Sequence, residues 1–132
     1  MGYTLEALRE QELFRRFFEL TAIPRGSGNT AAASEYAARF AAARALEYER
    51  DELGNVVIKK PASPGREGCE PIMLQGHLDM VCAAESGLGT DMSVAPPRPL
   101  TDGEWIFAGG TTLGADNGIA IAMMLALLDD GQ

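Results

Sequence analysis

An α/β domain, with helices packed on a mixed, mostly parallel sheet, is the fold this sequence predicts. Three observations carry the prediction. Apolar residues recur at helical spacing in two early segments and one late one. Short apolar or alternating segments of strand length lie between them. Proline and glycine clusters separate the two kinds of segment. At 132 residues, 46% hydrophobic and 23% charged, the chain is long enough to bury one core and ordinary in composition for a folded domain.

The first helix is expected from Thr4 to Ala22. Leu13, Phe14, Phe17, Phe18 and Thr21 share one face, continuing a stripe that opens with Leu5 and Leu8. Pro24, Gly26 and Gly28 then break the chain. Asn29 or Thr30 caps a second, alanine-rich helix to about Ala45, with Ala33, Tyr36, Ala37, Phe40 and Ala41 inward. Leu46, Tyr48 and Arg50 alternate with charged residues, as in a half-exposed strand. Glu52-Leu53-Gly54-Asn55 is a turn, and Val56-Val57-Ile58 starts the next strand. Ile72 to Leu74 is apolar without alternation, which predicts a strand covered on both faces. A long loop, Ala83 to Asp102, leads to a short strand at Glu104 to Ala108 with Trp105 and Phe107 on one side. The final helix is expected from Asn117 to Asp130, capped by Asp116 or Asn117, with Ile119, Met123, Ala126 and Leu127 along its buried stripe. A parallel sheet would continue with another strand here, so the chain is expected to be a piece of a longer protein, and to associate through exposed apolar surface.

The formal net charge of −8 argues against a nucleic-acid partner, because phosphate binding needs a basic surface. Cys69 and Cys82 form no C-x-x-C pair or disulfide framework, and Cys82 is expected to be a buried structural thiol. The start lacks an apolar signal core, and the longest apolar run, Ile119 to Leu128, is too short to span a bilayer. A cytoplasmic protein with reduced thiols is the expectation.

Chemistry concentrates in two polar stretches. Gln75-Gly76-His77-Leu78-Asp79-Met80-Val81 follows the apolar segment at 72–74 and holds the single histidine. His77 and Asp79, two apart on extended backbone, point to one face. They can share one metal, or the carboxylate can hold the second nitrogen of the ring. Gly109-Gly110-Thr111-Thr112-Leu113-Gly114-Ala115-Asp116-Asn117-Gly118 places Asp116 at a helix start, where its carboxylate can face a metal or simply cap the helix. This stretch lacks the lysine of a phosphate-binding loop, so nucleotide binding is not indicated. Spacing alone leaves both readings open.

The same residues carry a resemblance. His77-Leu78-Asp79-Met80-Val81, Asp102-Gly103-Glu104-Trp105 and the run from Gly110 to Gly118 resemble the aminoacyl-histidine dipeptidases (peptidase D, carnosinase-like). These belong to the dinuclear-zinc metallopeptidases. Asp51 to Pro61 and Ile23-Pro24-Arg25 are also similar, and the resemblance runs from about Leu13 to Leu128. It implies that residues 1–132 form the N-terminal part of a zinc-peptidase catalytic domain, without the lid and dimerisation domain. It further implies hydrolysis of Xaa-His or similar dipeptides by a water activated between two zinc ions, with manganese or cobalt as alternatives, in a homodimeric parent. His77 would ligate one metal, Asp116 would bridge both, and Asp79 would be the catalytic residue that clamps the His77 ring. The family's glutamate pair, further acidic ligand and last histidine have no counterpart here, so the chain alone is expected to be inactive. The loop from Ala83 to Leu100 departs from the family pattern, which leaves the substrate preference open. An amidohydrolase of N-acyl amino acids and a non-catalytic metal-binding or structural α/β module are the competing readings.

Overall fold

The computed structural model describes residues 2–131. Four helices and two hairpins succeed one another: α1 (Leu5–Arg9), α2 (Glu12–Thr21), α3 (Ala31–Ala42), β1 (Glu47–Arg50), β2 (Val56–Lys59), β3 (Pro99–Thr101), β4 (Ile106–Ala108) and α4 (Ala115–Asp129). The mixture of helix and strand is as expected. The pairing differs in detail: among the described residues β1 pairs with β2 and β3 with β4, each antiparallel, as two separate two-stranded sheets. Among the described residues parallel contact is confined to one bridge between Gly26 and Met80.

The expected first helix is two. Gln11 is extended (φ −86°, ψ 130°) between them. The cause is legible in the spacing: Leu8 and Leu13 are five apart, a step that leaves the helical face, so the stripe restarts in a new register. α3 buries Ala33, Ala37, Phe40 and Ala41 as its periodicity requires. The following hairpin is closed by Asp51, whose carboxylate accepts from the Asn55 amide at 2.8 Å and its side-chain nitrogen at 2.7 Å. Gly54 there has φ +86°, a conformation that suits glycine. β1 is exposed along its whole length rather than half-buried; both its faces carry charged or amphipathic side chains.

Two expectations fail for related reasons. Ile72 and Met73 form no strand and are 87% and 88% exposed. No neighbouring strand among the described residues supplies the hydrogen bonds that a both-faces-covered strand needs. In α4 the buried residues are Gly118, Ile121, Ala122 and Leu125, whereas Met123 and Leu127 face outward. That helix is apolar on nearly every side, so its sequence carries no preferred face and packing alone chooses one.

α4 lies against α2, and two apolar clusters, drawing also on α3 and α1, pack around them. Leu20, Ala33, Phe40, Ile121 and Leu125 form one. Leu8, Phe17, Phe18 and Ala122 form the other. Their far end is closed by charge. Asp129 accepts from Arg44 at 2.6 and 2.7 Å and from Arg16 at 2.9 Å, while Arg44 stacks 3.7 Å above the Phe40 ring. Hydrogen bonding by Arg44, with Arg16 adding to it, holds the Asp129 carboxyl down at about 2. A depressed carboxylate contributes stability above its unfolded value near 3.8, and that contribution is lost as pH falls through the folded one. Asp129→Asn is therefore expected to reduce stability at neutral pH and to flatten its acid dependence between about pH 4 and pH 2. Urea titrations at several pH values check this. Parallel wild-type and variant curves would show that Asp129 contributes nothing there.

No helix among the described residues is long and apolar enough to cross a membrane.

Candidate metal centre

The site stands where the segment after Leu74 meets the start of α4. Gly76 lets them approach. A Cβ at that position would lie 2.8 Å from the Met124 methyl and 3.1 Å from Ile121 Cδ1, so a side chain there would require these two side-chain ends to shift. Across from it, Gly114 (φ +77°) turns the chain into α4. Asp116 and Asn117, joined by a cis peptide bond, keep non-helical angles, and regular helix follows them. The Asp116 side chain is 94% exposed at the helix mouth, and among the described residues its carboxylate meets the His77 ring rather than a backbone amide of α4.

His77, Asp79 and Asp116 come together. His77 Nε2 lies 3.1 Å from Asp116 Oδ1. The other ring nitrogen, Nδ1, is 2.9 Å from the backbone carbonyl of Asp79 and 3.2 Å from its Oδ1. Asp79 and Asp116 therefore occupy opposite edges of the imidazole. Of the two arrangements open from spacing, Asp79 holds the second nitrogen, and the ring stands between the carboxylates. Bonding from the Asp79 carbonyl, with Asp116 and Asp79 as nearby anions, raises the His77 pKa, since both ring nitrogens then face acceptors.

Ser27 belongs to the site and was not singled out from the sequence. Its hydroxyl donates to Asp79 Oδ2 at 2.5 Å, which is the largest cause of the lowered Asp79 pKa. A serine in a Gly-Ser-Gly turn reads as turn chemistry, so no local signal marks it. Cys82 is exposed rather than buried, and Cys69 likewise, both as free thiols. The Cys82 side chain lies at the rim, beside Gly26, where the loop from Met80 onward has left the core.

An imidazole nitrogen and a carboxylate oxygen are two of the donor types that a divalent metal such as zinc accepts. Zinc bonds to imidazole nitrogen and carboxylate oxygen of about 2.0–2.2 Å put two ligands of a tetrahedral ion about 3.4 Å apart, close to the 3.1 Å between Nε2 and Oδ1. Among the described residues no three His, Cys, Asp or Glu converge as a metal cage, because Asp79 lies on the wrong side of the ring to join the other two.

Comparison with known proteins gives two similarities of the same kind. The chain is 42% identical over 126 residues to the cytosol non-specific dipeptidase of Escherichia coli (strain K12), a match covering 96% of this chain and 26% of that protein. The crystal structure of aminoacylhistidine dipeptidase from Vibrio alginolyticus superposes with a TM-score of 0.92 at 38% identity, covering 98% of this chain and 26% of that one. No family model matches the chain. The chain spans about a quarter of the length of these relatives. In sequence and in fold the chain is similar to about a quarter of each of these two dipeptidases.

Proposed function

We propose that this segment supplies one part of the centre of a metal-dependent dipeptidase, acting on Xaa-His or similar short peptides. The observation that carries the reading is the meeting of His77 Nε2 and the Asp116 carboxylate at 3.1 Å, in a chain 42% identical to part of a dipeptidase.

In this reading His77 and Asp116 would hold metal, the exposed Asp116 side chain leaving its carboxylate open to it. Zinc, with manganese or cobalt as substitutes, would supply Lewis acidity and an acidified water for attack on the peptide carbonyl. Asp79 fixes the His77 tautomer by holding Nδ1, so that the Nε2 lone pair is the one presented. Ser27 pins the Asp79 carboxylate in turn. The remaining ligands and the general base are assigned to polypeptide outside residues 1–132, as is any lid and homodimer surface. The isolated chain is accordingly inactive, and the exposed Ile72–Leu74 stretch is where it would associate. A cytoplasmic location goes with this reading, since the Escherichia coli relative is named as a cytosol enzyme.

The test is zinc titration of the 132-residue chain. With two protein ligands where a catalytic zinc has three, weak binding is expected, and His77→Ala is expected to abolish it. Equal uptake by wild type and His77→Ala, or tight binding of two zinc ions, would contradict the assignment. A purely structural module would bind no zinc at all.

A further inference from the structure

Arg25 is 0% exposed; among the described residues no carboxylate hydrogen-bonds its guanidinium, and Asp79 is the carboxylate that acts on its charge. The guanidinium is spent on main-chain carbonyls. Nη1 donates to Leu78 O at 2.9 Å and more weakly to Asp79 O at 3.4 Å, and Nη2 donates to Gly114 O at 2.5 Å. The Arg25 backbone takes hold of the same stretch, accepting from the Met80 amide at 2.9 Å. We infer that Arg25 is a positioning residue of the site, its guanidinium locking the Leu78–Asp79 backbone to the Gly114 turn and so setting His77 against Asp116. The inference rests on the proposed reading of that site as a metal centre, and deepens it.

The geometry is specific to this purpose. The carbonyl of Asp79 that Nη1 approaches is the one His77 Nδ1 contacts, so Arg25 acts on the ring through a single peptide group. Gly114 lies two residues before Asp116. Room for the guanidinium is made by missing side chains: a Cβ on Gly114 would lie 2.6 Å from Nη2, and one on Gly118 would lie 2.7 Å from it. The two glycines flank Asp116, which ties their presence in this run to the arginine. A planar fork with separated donors can bridge two chain segments, whereas a lysine ammonium is one point. A buried cation chosen only for core stability would be expected to meet a carboxylate. Here Nε has no hydrogen-bond partner among the described residues, and the donors that are satisfied are the two that reach the site's backbone.

The experiment compares wild type, Arg25→Lys and Leu125→Ala in the 132-residue chain. Leu125→Ala serves as a destabilised control in the core away from the site. Zinc affinity is measured by calorimetry, and amide hydrogen exchange is measured without metal. Arg25→Lys is expected to weaken zinc binding at least about 10-fold and to speed exchange at the Met80 and Gly118 amides while leaving the Ser34 and Ala43 amides of α3 as they were. Leu125→Ala is expected to leave zinc affinity unchanged. Wild-type zinc affinity in Arg25→Lys, or uniform acceleration of all amides, overturns the positioning role and leaves the metal reading intact. If wild type binds no more zinc than His77→Ala, the metal reading fails, and the exchange pattern alone decides for or against Arg25. Should Arg25→Lys not fold, Gly118→Ala keeps the arginine and displaces Nη2, and the same two readouts apply.

Discussion

Asp116→Ala, placed in a dipeptidase-length protein carrying this segment, is expected to empty the centre of metal and abolish dipeptide hydrolysis, whereas Asp79→Ala is expected to keep most of the metal and lose turnover. The contrast follows from which edge of His77 each carboxylate occupies. Asp116 meets Nε2 from an exposed position, with no hydrogen bond to a protein donor other than that ring among those described; it is free to give both oxygens to metal. Asp79 is committed on one oxygen to Ser27 and lies along Nδ1 with the other. Loss of a group that orients a metal-ligating histidine typically costs about 10–100-fold in affinity or activity. If Asp116 holds metal as proposed, its removal is expected to take the metal and, with it, the reaction. Metal analysis beside dipeptide hydrolysis checks both variants. Asp79→Ala lacking metal while Asp116→Ala retains it would reverse the two roles.

Phe17→Ala is expected to be the most destabilising single change of the fold, by about 3–5 kcal/mol. The ring is 2% exposed and lies 5.7 Å from the Phe18 ring. Its edge sits 3.3 Å from where a Gly118 Cβ would be, so it closes directly on the start of α4. A cavity there removes contacts from α2 and α4 together. Measured against a total stability of about 5–15 kcal/mol, the loss lowers the melting temperature by about 10–20 °C for a chain of this size. Val57→Ala, at a half-exposed strand position, is the comparison and should stay within about 0.5 kcal/mol. Thermal melts followed by circular dichroism read both. A Phe17→Ala loss below about 1 kcal/mol would mean that the α2–α4 contact is not what holds the helix mouth in place.

Much of the framework was legible because it is written in local periodicity. α3 has its inner face from alanine and aromatic spacing, and the Glu52–Asn55 turn has its place from residue type. Residues 72–74 and α4 were misread in opposite ways. The first looked buried because it is apolar, yet a strand exists only where a neighbour supplies hydrogen bonds. The second has apolar residues around its whole circumference, so no stripe could be chosen without knowing what packs against it.

The sequence by itself determined the class of fold, the two polar stretches at 75–81 and 109–118, and the pairing of His77 with Asp79 on one face, since each depends on residues within a few positions of one another. It also showed, through His77-Leu78-Asp79 and the Thr111–Gly118 run, the likeness that the 42% identity and the TM-score of 0.92 later bore out. Tertiary structure decided everything that joins distant segments: that Asp79 and Asp116 sit on opposite nitrogens of one ring, that Ser27 secures Asp79, and that Arg25 lies buried between the two stretches. The physical reason is that a hydrogen bond is set by directions good to a few tenths of an ångström. Residue spacing fixes such directions along one helix or strand, but not across a chain reversal of dozens of residues.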